Sequence, residues 1–183
     1  MLVVLIGKSS SGKDMVSREL VNKYNYRKII RYTTRPLRKG EKNGDTYHYI
    51  SKEDFLLKVN NNFFIEWKGY DTVDGIWYYG TAWEDIEDIS SRTVIILPPD
   101  RYEEVVKNTS NKFISIYIYA NNETLKKRLN KRGDNKDEAK RRIEHDNEDF
   151  RGVEQIVDRI VYNNDGTNID DVVKKILEFV GER

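Results

Sequence analysis

The chain lacks cysteine altogether and contains only two histidines, His48 and His145, among its 183 residues. Without cysteine there is no disulfide framework and no thiolate metal site. The two histidines are far apart in sequence, so they do not form the closely spaced ligand set that is typical of zinc sites. Metal chemistry, if the protein uses it, must rest on oxygen ligands.

Long apolar runs are also absent. The first six residues, Met1–Ile6, are apolar, but about 20 such residues are needed to span a membrane. The segment also lacks the charged start and the small-residue cleavage site of a signal peptide. We therefore expect a cytoplasmic protein that has no membrane partner.

Neither sign of charge is in excess. Lys and Arg number 32 against 31 Asp and Glu, which gives a net charge of +1. This balance argues against a protein that binds nucleic acid through bulk charge, so we expect no nucleic-acid partner and only local positive fields. A composition of 38% hydrophobic and 34% charged residues indicates a globular chain, and its length predicts one domain over residues 1–183.

Short apolar runs alternate with amphipathic helices along most of the chain. This alternation predicts an α/β fold with a mostly parallel sheet covered by helices on both faces. Ligands of such sheets bind beyond the carboxyl ends of the strands. The predicted strands are Leu2–Ile6, Thr93–Leu97, Phe113–Tyr119 and Arg159–Tyr162, and the predicted helices are Lys13–Lys23, Arg101–Lys107, Glu123–Lys131, Asp137–Phe150 and a C-terminal helix with a core face from Val172 to Val180.

The region between the first two of these strands has a different pattern. Ser51 is placed to cap a helix, with Asp54 three residues on. Phe63–Trp67 and Trp77–Tyr79 predict a pair of strands separated by a loop around Asp74-Gly75. A short strand is also predicted at Tyr47–Ile50.

A glycine-rich loop follows the first strand and opens the first helix. Its spacing, Gly7-x-x-x-x-Gly12-Lys13, is typical of a P-loop, in which successive backbone N–H groups and the helix N-terminus surround phosphate oxygens. Lys13 would reach the β- and γ-phosphates of ATP. The alternative is a Gly/Ser turn that only joins a strand to a helix. The candidate ATP-binding residues of the loop are Gly7, Ser9, Ser10, Ser11, Gly12 and Lys13.

Asp14 departs from the P-loop pattern, which normally has Ser or Thr after the lysine to bind Mg²⁺. A carboxylate is also a hard oxygen ligand, so Asp14 is a candidate Mg²⁺ ligand, directly or through water. Without the metal, its negative charge would lie unfavourably close to the triphosphate. We list Asp14 among the ATP-binding candidates and leave its metal role open.

A cationic loop at Arg31–Glu41 is the second candidate site. Arginine binds phosphate through two parallel hydrogen bonds and keeps its charge, so Arg35 and Arg38 suit a second anion. The alternative is a run of solvated surface charges.

The wider sequence resembles the guanylate kinase family. The segment Thr33–Ser51, which starts Thr-Thr-Arg, resembles the GMP-binding region of that family, and so do Phe64–Trp67 and Tyr78–Thr81. The resemblance continues through Leu125–Gly133 and Arg142 to Asp158–Asn163, in the family's order and over nearly the whole chain.

The resemblance implies a fold and a set of roles. It implies a P-loop NTPase-type core at about 1–31 and 91–183, a small mixed α/β GMP-binding insertion at about 32–90 and a helical lid at about 128–150. Lys13, Arg132 and Arg142 would be catalytic, with Mg²⁺ as the cofactor and ATP and GMP as the substrates. Asn163 would lie near the donor base. The implied GMP-binding residues are Arg35, Arg38, Tyr47, Glu66, Tyr79, Thr81 and Asp100, in which Glu66 meets the guanine N1 and N2 donors and Thr81 meets O6.

Several positions depart from the family pattern. Tyr32 replaces a small serine beside the Thr-Thr-Arg run, and Pro98-Pro99 leaves Asp100 as the one carboxylate there. The loop Lys68–Trp77 is longer than usual. We interpret Arg128, Lys131 and Arg141 as solvated helix charges.

Three functions stay open at this level. The first is ATP-dependent phosphorylation of GMP or dGMP. The second keeps the kinase but changes the acceptor to another nucleoside monophosphate or a ribose phosphate; Glu66 favours a guanine base over a sugar. The third is a non-catalytic guanylate-kinase-like binding module, which the retained Lys13, Arg35 and Arg38 disfavour. Oligomeric state stays open.

Overall fold

The computed structural model describes residues 1–38, 40–72, 74–87, 89, 92–132 and 136–181, with only the backbone described at 132 and 136–138. The chain forms two compact units. The first consists of Met1–Lys28, Ser91–Asp100 and Lys112–Arg183, and the second of Ile29–Ser90 and Arg101–Asn111.

The elements of regular structure alternate as the sequence predicts, and most bounds differ from the expected ones by one or two residues. In chain order they are β1 (Leu2–Ile6), α1 (Lys13–Tyr24), β2 (Arg27–Lys28), β3 (Tyr32–Thr33), β4 (His48–Tyr49), α2 (Lys52–Asn60), β5 (Phe64–Thr72), β6 (Gly75–Ala82), α3 (Trp83–Glu87), β7 (Thr93–Ile96), α4 (Pro99–Lys107), β8 (Phe113–Tyr119), α5 (Asn122–Arg132), α6 (Lys136–Asp149), a 3₁₀ turn (Val153–Gln155), β9 (Arg159–Tyr162) and α7 (Ile169–Phe179).

The first unit is built on a five-stranded sheet in the order β2-β7-β1-β8-β9. Each neighbouring pair in this sheet is parallel, which confirms the predicted α/β class. The central strand β1 is buried at every residue, as its continuous apolar run predicts. Its carboxyl end leads directly into the glycine-rich loop.

Helices α1 and α7 supply much of the apolar core of this unit. Val16 and Leu20 of α1 and Val172 and Ile176 of α7 join one buried cluster with strand residues such as Val3. The i, i+4 spacing on each helix places these side chains on one stripe. The core therefore holds α1, and with it the loop at its N-terminus, against the sheet.

The second unit contains a four-stranded sheet in the order β4-β3-β6-β5. The predicted loop over Lys68–Trp77 is wrong, because β5 continues to Thr72 and β6 begins at Gly75, with Lys68 opposite Tyr79 and Tyr70 opposite Trp77. Cross-strand aromatic pairs such as Tyr70 and Trp77 favour paired strands here, and Gly75 at φ 96° provides the turn. The predicted cap is confirmed, since Ser51 Oγ accepts from Asp54 N at 3.0 Å.

The sequence did not predict the short elements β2, β3 and α3, which are set by pairing and packing rather than by a local pattern.

None of the helices in the described chain is long and apolar enough to cross a membrane.

Candidate functional site

The glycine-rich loop of the first unit has the backbone torsions that its sequence predicts. Ser10 at φ 62° and Gly12 at φ 99° are both left-handed. A Cβ on Gly7 would lie 2.5 Å from Ser11 Oγ and 2.9 Å from the carbonyl oxygen of Ile118. The loop thus needs glycine at both ends, at Gly7 for space and at Gly12 for its torsion.

Two side chains support the loop from behind. Asn163 is 3% exposed and donates through Nδ2 to the carbonyl oxygen of Ser11 at 2.8 Å. Arg128 donates through Nη1 to the carbonyl oxygens of Ser10 at 3.3 Å and Ser11 at 3.2 Å. The interpretation of Arg128 as a solvated charge is therefore wrong. Burial lowers the pKa of Arg128. These contacts hold the carbonyl oxygens of Ser10 and Ser11 in place.

Lys13 and the start of the loop make contacts that a bound phosphate would change. Lys13 Nζ donates to the carbonyl oxygen of Lys8 at 3.2 Å. The backbone N–H of Ser9 donates to Oδ2 of Asp146, on α6, at 2.6 Å. Nearby, Lys8 Nζ donates to Asn147 Oδ1 at 2.6 Å, and burial lowers the pKa of Lys8. A carboxylate thus holds a backbone donor of the loop.

Asp14 lies exposed in the first turn of α1. Among the residues that the structure describes, no group of three or more His, Asp or Glu side chains is arranged to hold a metal. Arg142 lies half-buried on α6, one turn before Asp146. The side chain of Arg132, the third catalytic candidate, lies outside the described residues.

In the second unit, Arg35 is the centre of a hydrogen-bonded cluster. It is 4% exposed and donates through Nη2 to Glu41 Oε1 at 2.8 Å and to the Tyr49 hydroxyl at 3.1 Å. Glu41 Oε2 accepts from the backbone N–H of Arg38 at 2.7 Å. Burial opposes ionisation of Glu41, but these donors prevail and lower its pKa to about 2. The cluster fixes the guanidinium of Arg35 in one place.

Tyrosines surround this arginine. The Arg35 guanidinium carbon lies 5.7 Å from the Tyr47 ring centre and 5.4 Å from that of Tyr49. Tyr79 packs edge-on against Tyr47 at 5.6 Å. Arg38 is exposed. Arg35, Tyr47 and Tyr79 are therefore neighbours, and Arg38 reaches the same cluster through its backbone N–H. Their role in GMP binding stays a prediction.

Glu66 forms a second buried cluster with Thr81 and Arg31. Arg31 Nη2 donates to Glu66 Oε1 at 2.6 Å, and Arg31 Nε donates to Thr81 Oγ1 at 3.1 Å. The Thr81 hydroxyl in turn donates to Glu66 Oε1. Burial alone would lower the pKa of Arg31, but the charge of Glu66 raises it overall, so the guanidinium stays protonated.

Tyr32 packs among apolar rings on β3. It lies 5.3 Å from Phe63 and 5.6 Å from Phe64, measured between ring centres, and 4.7 Å from His48. Asp100 is exposed and belongs to the first unit, unlike the other GMP-binding candidates.

Sequence reasoning missed four polar residues of these clusters. Glu41 and Tyr49 lie inside the segment that resembles a GMP-binding region, so their polar character within it was an available signal. Arg31 was counted among the cationic side chains of its loop but received no role. Asp146 had no signal, because its contact to Ser9 joins positions that are distant in sequence.

Comparison with known proteins gives a consistent family. The family model described as guanylate kinase matches residues 1–183. The guanylate kinase of Neisseria meningitidis is 31% identical over 183 residues, which are 96% of this chain and 86% of that protein. That of Helicobacter hepaticus is 34% identical over 97 residues, which are 52% of this chain and 46% of that protein.

A solved structure is similar over nearly the whole chain. It is the crystal structure of guanylate kinase from Anaplasma phagocytophilum, with a TM-score of 0.73 and 23% identity, and the match covers 99% of this chain and 84% of that one. At this identity the likeness shows the fold.

Proposed function

Since the chain belongs to the guanylate kinase family, we propose that it transfers the γ-phosphoryl group of ATP to GMP or dGMP. The observation that carries the proposal is a buried carboxylate, Glu66, with one oxygen unengaged in the described chain, in a protein that also keeps the two glycines and the lysine of the P-loop. A carboxylate accepts from the adjacent N1 and N2 donors of guanine, which adenine lacks. The candidate ATP-binding and GMP-binding residues named above are part of this proposal.

ATP binds on the glycine-rich loop of the first unit. Backbone N–H groups of Ser9, Ser10 and Ser11 and the N-terminus of α1 take the phosphate oxygens. Lys13, which now donates to a loop carbonyl, turns to the β- and γ-phosphates and offsets charge as the phosphoryl group leaves. Asn163 acts by holding the loop rather than by reaching the nucleotide.

GMP binds in the second unit. Arg35 and Arg38 take the α-phosphate, Arg35 from a guanidinium that Glu41 and Tyr49 hold in place. Tyr47 and Tyr79 complete the phosphate side. The acceptor phosphate oxygen is already anionic near neutral pH, so no strong base is needed, and catalysis is alignment and charge neutralisation.

Arg132 and Arg142 are the proposed phosphate clamp, and residues 128–150 the lid. Two arginines near the transferred group stabilise its charge in the transition state and help to expel water. Asp100, exposed in the first turn of α4, is the remaining GMP-side residue of the proposal.

Mg²⁺ is the proposed cofactor, and the residues present fit it in part. Asp14 supplies a hard oxygen in the first turn after the loop, which suits Mg²⁺. Asp14 would hold Mg²⁺, which would neutralise charge on the triphosphate. An Asp14→Asn variant whose activity keeps the same Mg²⁺ dependence would exclude Asp14 as a ligand. The cytoplasmic location stays a prediction.

The test is ATP-dependent phosphorylation across GMP, dGMP, AMP, UMP, CMP and a ribose phosphate. We expect GMP and dGMP to be the best acceptors. Lys13→Ala should lower turnover at least about 100-fold with an unchanged circular dichroism spectrum, while Lys174→Ala, which removes an exposed lysine from α7, should leave turnover unchanged. Preference for another acceptor would favour the alternative kinase. No transfer to any acceptor, with ATP binding intact, would leave only the binding module.

A further inference from the structure

The guanine side of the site contains a buried positive charge that the proposed function does not use. The Arg31 side chain is 9% exposed and that of Glu66 0%, and Thr81 is fully buried. An arginine is among the costliest residues to bury, and pairing with Glu66 offsets the cost. Because Arg31 lies in the cluster that is proposed to bind the base, it is a candidate for a role besides pairing with Glu66.

The hydrogen-bond inventory of Thr81 limits what this residue can do. A hydroxyl has one proton to donate. Glu66 is an acceptor, so the short contact between Thr81 Oγ1 and Glu66 Oε1 uses that proton. Thr81 Oγ1 also accepts from Arg31 Nε. In this arrangement Thr81 has no proton for the 6-oxo group of guanine, although the family resemblance assigns it to that atom.

The two oxygens of Glu66 are also unequal. Oε1 accepts from both Arg31 and Thr81, whereas Oε2 is buried with no hydrogen-bond partner within the described chain. Oε2 is therefore the oxygen available to the N1–H and N2–H donors of guanine. A base that meets Oε2 with its N1–H presents its O6 on the adjacent side of the same edge.

Arg31 still has donors for that oxygen. A guanidinium carries five N–H groups, and within the described part of the chain the hydrogen bonds of Arg31 involve Nε and Nη2. A second Nη2–H and the two Nη1–H groups are left, in a fixed planar fork.

Resting on the proposed function, we infer that Arg31 determines acceptor specificity by donating a charge-assisted hydrogen bond to the 6-oxo group of the purine. Glu66 Oε2 accepts from N1–H and N2–H of the same base, and Thr81 holds Arg31 and Glu66 together. The cluster thus recognises a base that carries a hydrogen-bond acceptor at position 6 next to a donor at N1. It rejects adenine, which places an amino group against the guanidinium and an unprotonated N1 against the carboxylate.

Access to the cluster requires a local side-chain movement, because the three side chains now exclude solvent. The phenols of Tyr47 and Tyr70 lie near enough to act electrostatically on Arg31. Tyr47 also belongs to the phosphate side of the proposed GMP site. If these rings move when GMP binds, binding of the phosphate and recognition of the base would be coupled.

The test compares GMP with 6-thioguanosine 5′-monophosphate, which keeps N1–H and N2–H but has a weaker acceptor at position 6. For the wild-type chain we expect GMP to be favoured by about 10- to 100-fold in kcat/KM, the range of a hydrogen bond to a charged group. In Arg31→Met the preference should fall below about threefold. The preference for GMP over IMP, which reports the N2 contact to Glu66, should persist. Equal use of GMP and the thio analogue by the wild-type chain would overturn the inference.

Arg18→Met is the matched control, because it removes an exposed guanidinium from α1 and should leave both preferences unchanged. If Arg31→Met does not fold, Arg31→Lys is the second variant, because it keeps the charge beside Glu66 without the planar fork. Its preference for GMP over the thio analogue should also fall. A folded Arg31 variant that uses all acceptors more slowly but keeps the wild-type ratio would show a structural role and overturn the inference.

Calorimetric titration of the two nucleotides without ATP separates this inference from the proposed function. If the wild-type chain transfers no phosphate to any acceptor, the proposed kinase activity fails. The binding ratio of GMP to the thio analogue, measured for wild type and Arg31→Met, still tests Arg31. Loss of that ratio in the variant supports the inference, and an unchanged ratio contradicts it.

Discussion

The two candidate nucleotide sites, one in each unit, are stabilised in different ways. Around the glycine-rich loop, the partners are backbone groups: carbonyl oxygens bonded by Arg128, Asn163 and Lys13, and an N–H bonded by Asp146. Around Glu66, the partners are side chains of opposite charge in a buried cluster. A phosphate can replace the contacts of Lys13 and Asp146 with its own oxygens. A base can only add to the Glu66 cluster.

This difference predicts different consequences of mutation. Variants of the loop contacts should change nucleotide affinity and leave the fold stable, whereas variants of the buried pair should change stability as well. Three substitutions examine this contrast, and a fourth examines the Arg35 cluster of the second unit.

The largest effect is expected for Glu66→Ala. It leaves the Arg31 guanidinium buried without a counter-charge, which typically costs about 3–5 kcal/mol of the free energy of unfolding. Chemical denaturation measures this loss. Replacing both partners, as Glu66→Leu with Arg31→Leu, should recover most of it because the buried charge is gone.

Glu53→Ala is the control for this change. It removes a carboxylate of the same type from the exposed first turn of α2, and its effect should stay within about 1 kcal/mol. If Glu66→Ala cost no more than Glu53→Ala, the pair would not hold the second unit together.

Arg128→Met examines the loop half. Removal of the guanidinium takes away one donor to the carbonyl oxygens of Ser10 and Ser11, and we expect ATP binding to weaken by about 1–2 kcal/mol. Titration with ATP measures it. Lys127→Met changes an exposed cation on the same helix and should have no effect on ATP affinity. Unchanged affinity in Arg128→Met would mean that Asn163 is sufficient to hold the loop.

Asp146→Ala should act in the opposite direction. Its carboxylate bonds the Ser9 N–H that the phosphates need, and a ligand binds more weakly when its site must first be vacated. We expect ATP to bind about 3- to 10-fold more tightly in the variant. Glu148→Ala, which removes a nearby exposed carboxylate of α6, is the control. Weaker ATP binding in Asp146→Ala would show that Asp146 assists the nucleotide.

The smallest effect concerns pH. Glu41 has a pKa near 2 in the folded protein, below the value of 4.5 for the free side chain. Its ionised form therefore stabilises the fold above pH 4.5, and this contribution is lost as the pH falls from about 4.5 to about 2. We expect roughly 1 kcal/mol after screening by solvent.

Thermal unfolding of wild type and Glu41→Gln across this range measures the effect. The variant should lose part of the pH dependence, because the glutamine does not titrate. Parallel curves for the two proteins would show that Arg35 is held without the charge of Glu41.

Much of the fold was predictable because it depends on local patterns. The continuous apolar run of β1 and the stripe on α7 identify buried elements from the sequence alone. The hairpin that continues through Lys68–Trp77 was not predicted, because its glycines and acidic residues are typical of a loop. The two-residue strands β2 and β3 have no pattern of their own.

The site was predictable where a motif carries the chemistry. Lys13 and the two glycines follow from spacing, and Arg35 and Glu66 follow from a family resemblance. Arg31 was not assigned a role, because its importance depends on the side chain opposite it, 35 residues away in sequence. Tyr32, which the sequence marks as a departure from the family pattern, packs against the rings of Phe63 and Phe64.

The Arg31–Glu66 pair also restricts how the acceptor preference of this chain can be redesigned. A library that varies either position alone passes through proteins with a single buried charge, and most of its members should be lost as unfolded chains before their selectivity is seen. Varying both positions together, with neutral side chains of matched volume among the choices, keeps the intermediates folded. The two codons are best treated as one unit of selection.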